Sequence, residues 1–213
     1  FDLLIKDYGP AGAMSHYITS LAVGAPLMVA GPVGSFDFTP IRDGKVSHVV
    51  ALAGGTGITP IYQVVKAIAD LKLKAPAHVH LICANKTQGD ILLGKELAEL
   101  SKACAGLTVT HVLSRENTAG AGAAAAAVAG GANDSIVNAR LDEALLRKLS
   151  PAFFSADNSG NSNDKGLALL CGPRPFNEGL TAILKSWGFA TGAASKKELF
   201  TFCLLYTSDA ADE

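Results

Sequence analysis

From Val46 onward, short apolar β-branched runs alternate with segments whose apolar residues recur at helical spacing. VSHVVALA (46–53), HVHLICA (78–84), LTVTHVLS (107–114), GLALLCG (166–172) and KELFTF (197–202) read as strands. Ile61, Val64, Val65, Ile68 and Leu71 lie at helical spacing and predict a helix that starts near Thr59 and runs to about Leu71. KELAELSKACA (95–105), LDEALLRKL (141–149) and PFNEGLTAILKSW (175–187) read as further helices. Parallel strands need a crossover between them, and helices are the usual crossover, so the alternation implies an α/β fold with a parallel sheet covered on both faces.

Residues 1–44 follow a different rule. FDLLIKDY alternates like a strand, GPAGAMS is a loop, and HYITSL reads as a helical turn or two with Ser15 as its cap. PLMVAGPVGSF reads as a strand interrupted by Gly and Pro, and the turn-rich TPIRDGK marks a boundary between domains. The expected organisation is therefore residues 1–44 as one unit and 45–202 as a second. TAGAGAAAAAVAGGAN (118–133) and SADNSGNSND (155–164) are low-complexity and read as exposed insertions.

Both ends carry expectations of their own. The chain opens at Phe1, inside an alternating run and without an initiator methionine, so an N-terminally truncated fragment is expected. The last eleven residues, CLLYTSDAADE (203–213), read as a translated sequencing adapter and are set aside. Without Asp209, Asp212 and Glu213 the 19 acids fall to 16 against 18 bases, so the net charge moves from −1 to +2. Neither value is a nucleic-acid footprint. Hydrophobic residues make up 49% and charged residues 17%, a globular composition, and no run approaches the roughly 20 apolar residues of a membrane span. Cys83, Cys104 and Cys171 form no C-x-x-C pair, so neither a disulfide framework nor a zinc site is expected. A reducing, cytoplasmic-side location follows as the expectation. His78 and His80 share a strand face but have no third ligand nearby in sequence, so no metal is assigned.

The densest chemical signal is AGGTGITP (53–60), where a strand gives way to a helix. Ligands of parallel sheets sit beyond the carboxyl ends of the strands, and a helix N-terminus suits a phosphate. Gly54, Gly55 and Gly57 remove β-carbons that would block such an approach, while Thr59 reads as the helix cap and Pro60 as its first residue. The spacing is neither G-x-G-x-x-G nor a Walker A loop, so a plain tight turn stays open beside nucleotide binding. CGPRPFNEG repeats the logic after the strand GLALL, which would place Cys171 at the lip of the cleft, although by itself a cysteine there reads first as a small buried hydrophobe.

In chain order GPAGAMSHYI, GPVGSF, AGGTGITPIYQV, ANKTQGDILLGKELAEL, CGPRPF and ELFTF resemble the cytochrome b5 reductase family, within the ferredoxin–NADP reductase superfamily. The resemblance covers residues 1–202 apart from the two insertions. It implies the C-terminal part of an FAD-binding β-barrel followed by an NAD(P)-binding α/β domain. It also implies hydride transfer from NADH to FAD, then single electrons to a haem protein such as cytochrome b5 or a fused haem domain. Gly12, Ala13, Met14 and Ser15 match the loop for the FAD pyrophosphate, with Ala13 where the family usually has Lys; a capped surface helix is the plainer reading of the same residues. Gly54, Gly55, Thr56 and Gly57 match the family's nucleotide loop, with Thr59 and Pro60 following and the Thr56 side chain expected nearest the flavin. Cys171 and Gly172, followed by Pro173, match the pair beside the nicotinamide, and Cys171 is assigned positioning of the hydride transfer together with Thr56.

Asp90 falls where the adenine ribose should lie, so it favours NADH by accepting from ribose hydroxyls and repelling a 2′-phosphate. It also reads as a cap for the helix that follows. Lys86 and Arg174 are the cations that could admit NADPH, with solvated surface charge as the plainer role. Phe202, with Phe200, matches the closing aromatic near the flavin or packs an edge strand. The family's Arg-x-Tyr-Thr/Ser flavin segment has no counterpart here, so weak FAD retention is expected. A non-catalytic NAD(H)-binding module without its own flavin is the alternative function, and a decayed or chimeric reading frame is a third.

Overall fold

The computed structural model describes residues 2–31, 34–70, 78–115, 134–151, 165–191 and 197–202. Both low-complexity insertions, Leu71 and the segment 203–213 lie outside the described residues.

Six strands form one parallel sheet: β1 (Val46–Gly54), β2 (His78–Asn85), β3 (Leu107–Leu113), β4 (Ser135–Asn138), β5 (Lys165–Cys171) and β6 (Lys197–Thr201). Their spatial order is β4-β3-β2-β1-β5-β6, and every neighbouring pair is parallel. Side chains of β1 alternate between two cores, as the two-residue period of a strand requires. Val49, Ala51 and Ala53 pack with Ile61 and Val65 of α3 (Ile58–Asp70) and Leu97 of α4 (Gly94–Ala103). Val50 and Leu52 pack with Leu146 of α5 (Glu143–Leu149) and with Leu180 and Leu184 of α6 (Arg174–Ser186). Both faces of the central strands are thus buried, which explains why β1, β2 and β5 are apolar throughout their middles. Each fully buried leucine or isoleucine contributes about 1.5–3 kcal/mol from desolvation, and Leu52, Ile61, Leu81, Ile82 and Leu169 are among them.

Five of these strands stand where the apolar runs predicted them. The sixth, SIVN at β4, has no such run: it is four residues long, incompletely buried, and pairs only with β3 at the sheet edge. Its order comes from its partner, with Ser135 opposite Thr110 and Asn138 opposite Leu113.

The N-terminal segment departs from its reading. Neither 2–8 nor the described part of 26–36 forms a strand. A strand is completed by a ladder to a neighbour, and all six strands of the sheet lie elsewhere in the chain. What forms instead is helical: a 3-10 turn at Gly9–Ala11, then α1 (Ala13–Ser20). The TPIRDGK turn becomes α2 (Thr39–Arg42), and its Ile41 is fully buried among α3 and the sheet. Phe36 extends the same anchorage, its ring 4.9 Å from Phe200 and 5.3 Å from Phe202, which themselves lie 4.8 Å apart.

Candidate functional site

β1 and β5 are neighbours, yet the chain leaves them in opposite directions, to β2 on one side and to β6 on the other. Such a switch point leaves a crevice outside the carboxyl ends of the two strands. Two loops face each other there, 54–57 after β1 and 171–173 after β5, with Ala53 paired to Cys171 at their base.

The glycines of these loops serve three different needs. Gly55 has φ +52° and open space where a β-carbon would stand, so its backbone conformation is what calls for glycine. At Gly54 a β-carbon would come to 3.1 Å from both Phe176 Cδ1 and Pro173 Cδ. At Gly57 it would overlap the Cys171 carbonyl and lie 2.8 Å from the Gly172 nitrogen. Gly172 closes the seam from the other side, where a β-carbon would come to 3.1 Å from Gly54 Cα. Gly54, Gly57 and Gly172 therefore let the two loops meet backbone to backbone. The expectation that all three glycines of 54–57 are bare for a ligand's sake is corrected: open space lies at Gly55 alone.

The helix also starts earlier than its capping signal predicted. A 3-10 turn at Gly55–Gly57 runs directly into α3 at Ile58. Thr59 lies inside the first turn, where its hydroxyl donates to the Thr56 carbonyl at 3.1 Å, so it does not cap, and Pro60 follows it rather than opening the helix. Proline costs little in a first turn, where N–H groups have no intrahelical partner anyway. Thr56 is half-buried, and its hydroxyl makes no hydrogen bond among the described residues. No carboxylate stands in the first turn of α3 or of α6, so the dipole ends of both helices favour an anion at the crevice.

Cys171 ends β5 only 5% exposed, in one row with Ala53 and Cys83 across three strands. Its thiol is part of the core, and its backbone forms the lip. Burial pushes the Cys83 thiol up to about 12. Pro173 precedes α6 as its N-cap residue. Phe202 extends β6 by donating its N–H to the Leu170 carbonyl at 2.8 Å, one strand away from Cys171.

Asp90 lies after β2, in the 3-10 turn Gln88–Asp90. The Thr87 N–H and hydroxyl both donate to Asp90 Oδ2, at 2.9 and 2.7 Å. These bonds, the hydroxyl first, hold its carboxyl below the usual carboxylate range, with smaller contributions from Lys6 and Lys86. Asp90 thus caps its own turn and not α4, which begins after Leu93 in the left-handed region at φ +56°. Both Thr87 donors use one carboxylate oxygen, Oδ2. Arg174 is exposed and bonded to Glu178 at 2.7 Å.

Gly12 is the N-cap residue of α1, and Ala13 and Met14 open the helix, Met14 exposed to solvent. Ser15 is not the cap: its hydroxyl donates to the Gly12 carbonyl at 3.0 Å. A β-carbon at Gly12 would stand 2.5 Å from that hydroxyl oxygen and 2.6 Å from Tyr8 Cβ. The histidines disperse. His78 stacks on His48, and His80 lies between Ser150 Oγ at 2.7 Å and Thr110 Oγ1 at 2.9 Å. Among the described residues no three potential ligands converge on a metal.

A parallel α/β domain with a glycine seam and an anion-favouring helix end at its switch point is a dinucleotide-type domain. The chain belongs to the oxidoreductase NAD-binding domain family, whose match covers residues 51–181, and the oxidoreductase FAD-binding domain matches residues 1–38. The resemblance to cytochrome b5 reductases is shared by curated relatives of that name. NADH-cytochrome b5 reductase 1 of Dictyostelium discoideum is 35% identical over 95% of this chain and 59% of its own length. The Aspergillus oryzae protein of the same name is 42% identical over 53% of this chain and 39% of its own length. The chain thus spans about three fifths of the Dictyostelium relative. Among solved structures, the CS-b5R domains of human Ncb5or (NAD+ form) share the fold at TM-score 0.67 and 23% identity, over 94% of this chain and 48% of that one. A ferredoxin NADP+ reductase from Neisseria gonorrhoeae with bound FAD and NADP shares it at TM-score 0.54 and 16% identity, over 92% and 71%.

Proposed function

We propose that this chain is part of an NADH-dependent cytochrome b5 reductase-like oxidoreductase, which takes electrons from NADH through FAD to a one-electron haem acceptor. Bound, nicotinamide and flavin supply the hydride and single-electron chemistry. The chain's residues bind and orient them. The first turn of α3 and the open face at Gly55 would receive the pyrophosphate of NADH, and the Thr56 side chain would stand nearest the flavin. Cys171, Gly172 and Pro173 border the nicotinamide end, while Asp90 receives the adenine ribose and rejects a 2′-phosphate. Gly12, Ala13, Met14 and Ser15 hold the FAD pyrophosphate at the start of α1, and Phe202 stands toward the flavin. Cytochrome b5 or a fused haem domain is the acceptor of this reading, with the protein on the cytoplasmic side.

The observation that carries the reading is the seam of Gly54, Gly57 and Gly172, which sets an acid-free helix end at the switch point of the sheet. Calorimetric titration of the chain with NADH and with NADPH tests it. NADH is expected to bind the more tightly; equal binding of NADPH removes the role given to Asp90, and no binding of either removes the NAD site.

A further inference from the structure

We infer that Asn177 is a positioning residue for the nicotinamide end of this site, acting through the Gly172 carbonyl. This rests on the NAD-binding reading above. Asn177 stands in the first turn of α6 and is only 1% exposed. Its Nδ2 donates to the Gly172 carbonyl at 2.8 Å, and its own N–H donates to the Pro173 carbonyl at 3.0 Å. One residue therefore binds two successive carbonyls, that of Pro173 through the ordinary first bond of the helix and that of Gly172 through its side chain. The sense of the side-chain amide is fixed by this bond, because turning it over would set oxygen against oxygen.

A buried asparagine is costly unless its polar atoms are satisfied, and Asn177 Oδ1 has no partner among the described residues. An apolar side chain here would leave the Gly172 carbonyl without this donor. What the amide adds is a fixed Gly172 carbonyl. Gly172 has no latitude of its own: a β-carbon there would lie 2.5 Å from Phe176 Cδ1, and its nitrogen abuts Gly57. The Asn177 bond thus registers the Cys171 lip against the glycine turn of β1, and with it the width of the crevice. Among the described residues no hydrogen bond joins Asn177 to Thr56 or Gly55, so its effect on the site passes through the Gly172 carbonyl.

The test is NAD+ affinity across pH. Asn177→Asp carries a carboxylate beside a carbonyl at neutral pH. On acidification its protonated form donates an O–H to the same carbonyl, and burial raises the pH at which this occurs. NAD+ binding to Asn177→Asp is expected to be about tenfold weaker than wild type near pH 8 and to recover near pH 5. Wild type, titrated alongside, is expected to stay level. The facing turn, 54–57, has no titratable side chain, Arg174 and Glu178 pair with each other in solvent, and the wild-type titration supplies the reference for every other group. Asn177→Ser is the second variant. It is uncharged and too short to reach the carbonyl, and is expected to bind about tenfold more weakly at every pH. Wild-type affinity in either variant near pH 8, with NAD+ bound normally by wild type, overturns the inference alone. Failure of wild type to bind NAD+ overturns the site and the inference with it.

Discussion

Gly57 lies directly against the backbone of Cys171, so that a β-carbon at position 57 would share space with the Cys171 carbonyl. The two residues belong to loops more than a hundred positions apart, and their contact locks the C-terminal ends of β1 and β5 together. Gly57→Ala must displace one loop, and overpacking of this kind costs about 1–3 kcal/mol. NAD+ affinity is expected to fall with it. Gly55→Ala meets no neighbour and bears only the left-handed φ, a cost of about 1 kcal/mol. Urea midpoints and NAD+ titrations of the pair check the order; a Gly55 variant more damaging than the Gly57 variant contradicts the seam.

The reasons behind these glycines mark how far the sequence could be read. AGGTGITP announced a bare loop before a helix, and the position of that loop at the sheet was legible. That Gly57 is bare for Cys171, and Gly55 for its own φ, depends on a residue far away in sequence and a dihedral angle. β4 escaped for a similar reason, since SIVN carries no pattern of its own and is ordered by β3. Thr59 and Ser15 look like caps because Thr and Ser are the usual ones, but each hydroxyl donates back to a carbonyl inside an earlier start. Asn177 gave no signal at all: an asparagine three residues into a helix is unremarkable until its burial is known.

Asp90 connects turn stability to cofactor choice. Its pKa is lowered from the ordinary 3.8 by the Thr87 donors. A lowered carboxylate stabilises the fold above the unfolded value, and this contribution fades as pH falls through the folded one. It is therefore complete at neutral pH. Asp90→Asn keeps an acceptor for Thr87 and removes the charge. A stability loss of about 0.5 kcal/mol is expected at this exposed turn, along with a narrower gap between NADH and NADPH affinity. Paired calorimetric titrations read the gap; one that is unchanged shows that Asp90 is only a cap.

The chain's single tryptophan reports on the opposite face of the sheet. Trp187 Nε1 donates to Glu143 Oε1 at 3.1 Å, and the Arg147 guanidinium lies 4.3 Å from the Trp187 ring centroid while also bonding Glu143 at 3.0 Å. This triad clips α5 to the end of α6 at the surface. Arg147→Ala removes the cation over the ring and half of the ion pair, for a loss of about 0.5–1 kcal/mol. Trp187 emission is expected to shift to the red and to lose its sensitivity to salt. Emission identical to wild type means the clip is not formed in solution.

Two histidines set the acid limit. His80 is half-buried and His111 fully buried, and burial lowers each from the ordinary 6.5 to about 4, with Asp134 opposing the shift at His111. The unfolded chain then takes up protons first as pH drops below 6.5. Native stability is complete above that pH and declines until about pH 4, by about 3 kcal/mol for each residue. The two differ in what their removal does. His80 bridges Ser150 and Thr110, so replacing it strands both hydroxyls. Both ring nitrogens of His111 lack partners among the described residues, so an apolar ring there leaves nothing unpaired. His111→Phe is expected to match or exceed wild type at pH 7 and to lose about half of the decline toward acid. Urea midpoints measured from pH 7.5 down to pH 4 decide it. A His111→Phe profile as steep as wild type would assign the acid limit elsewhere, because the protonation it removes would then have contributed nothing.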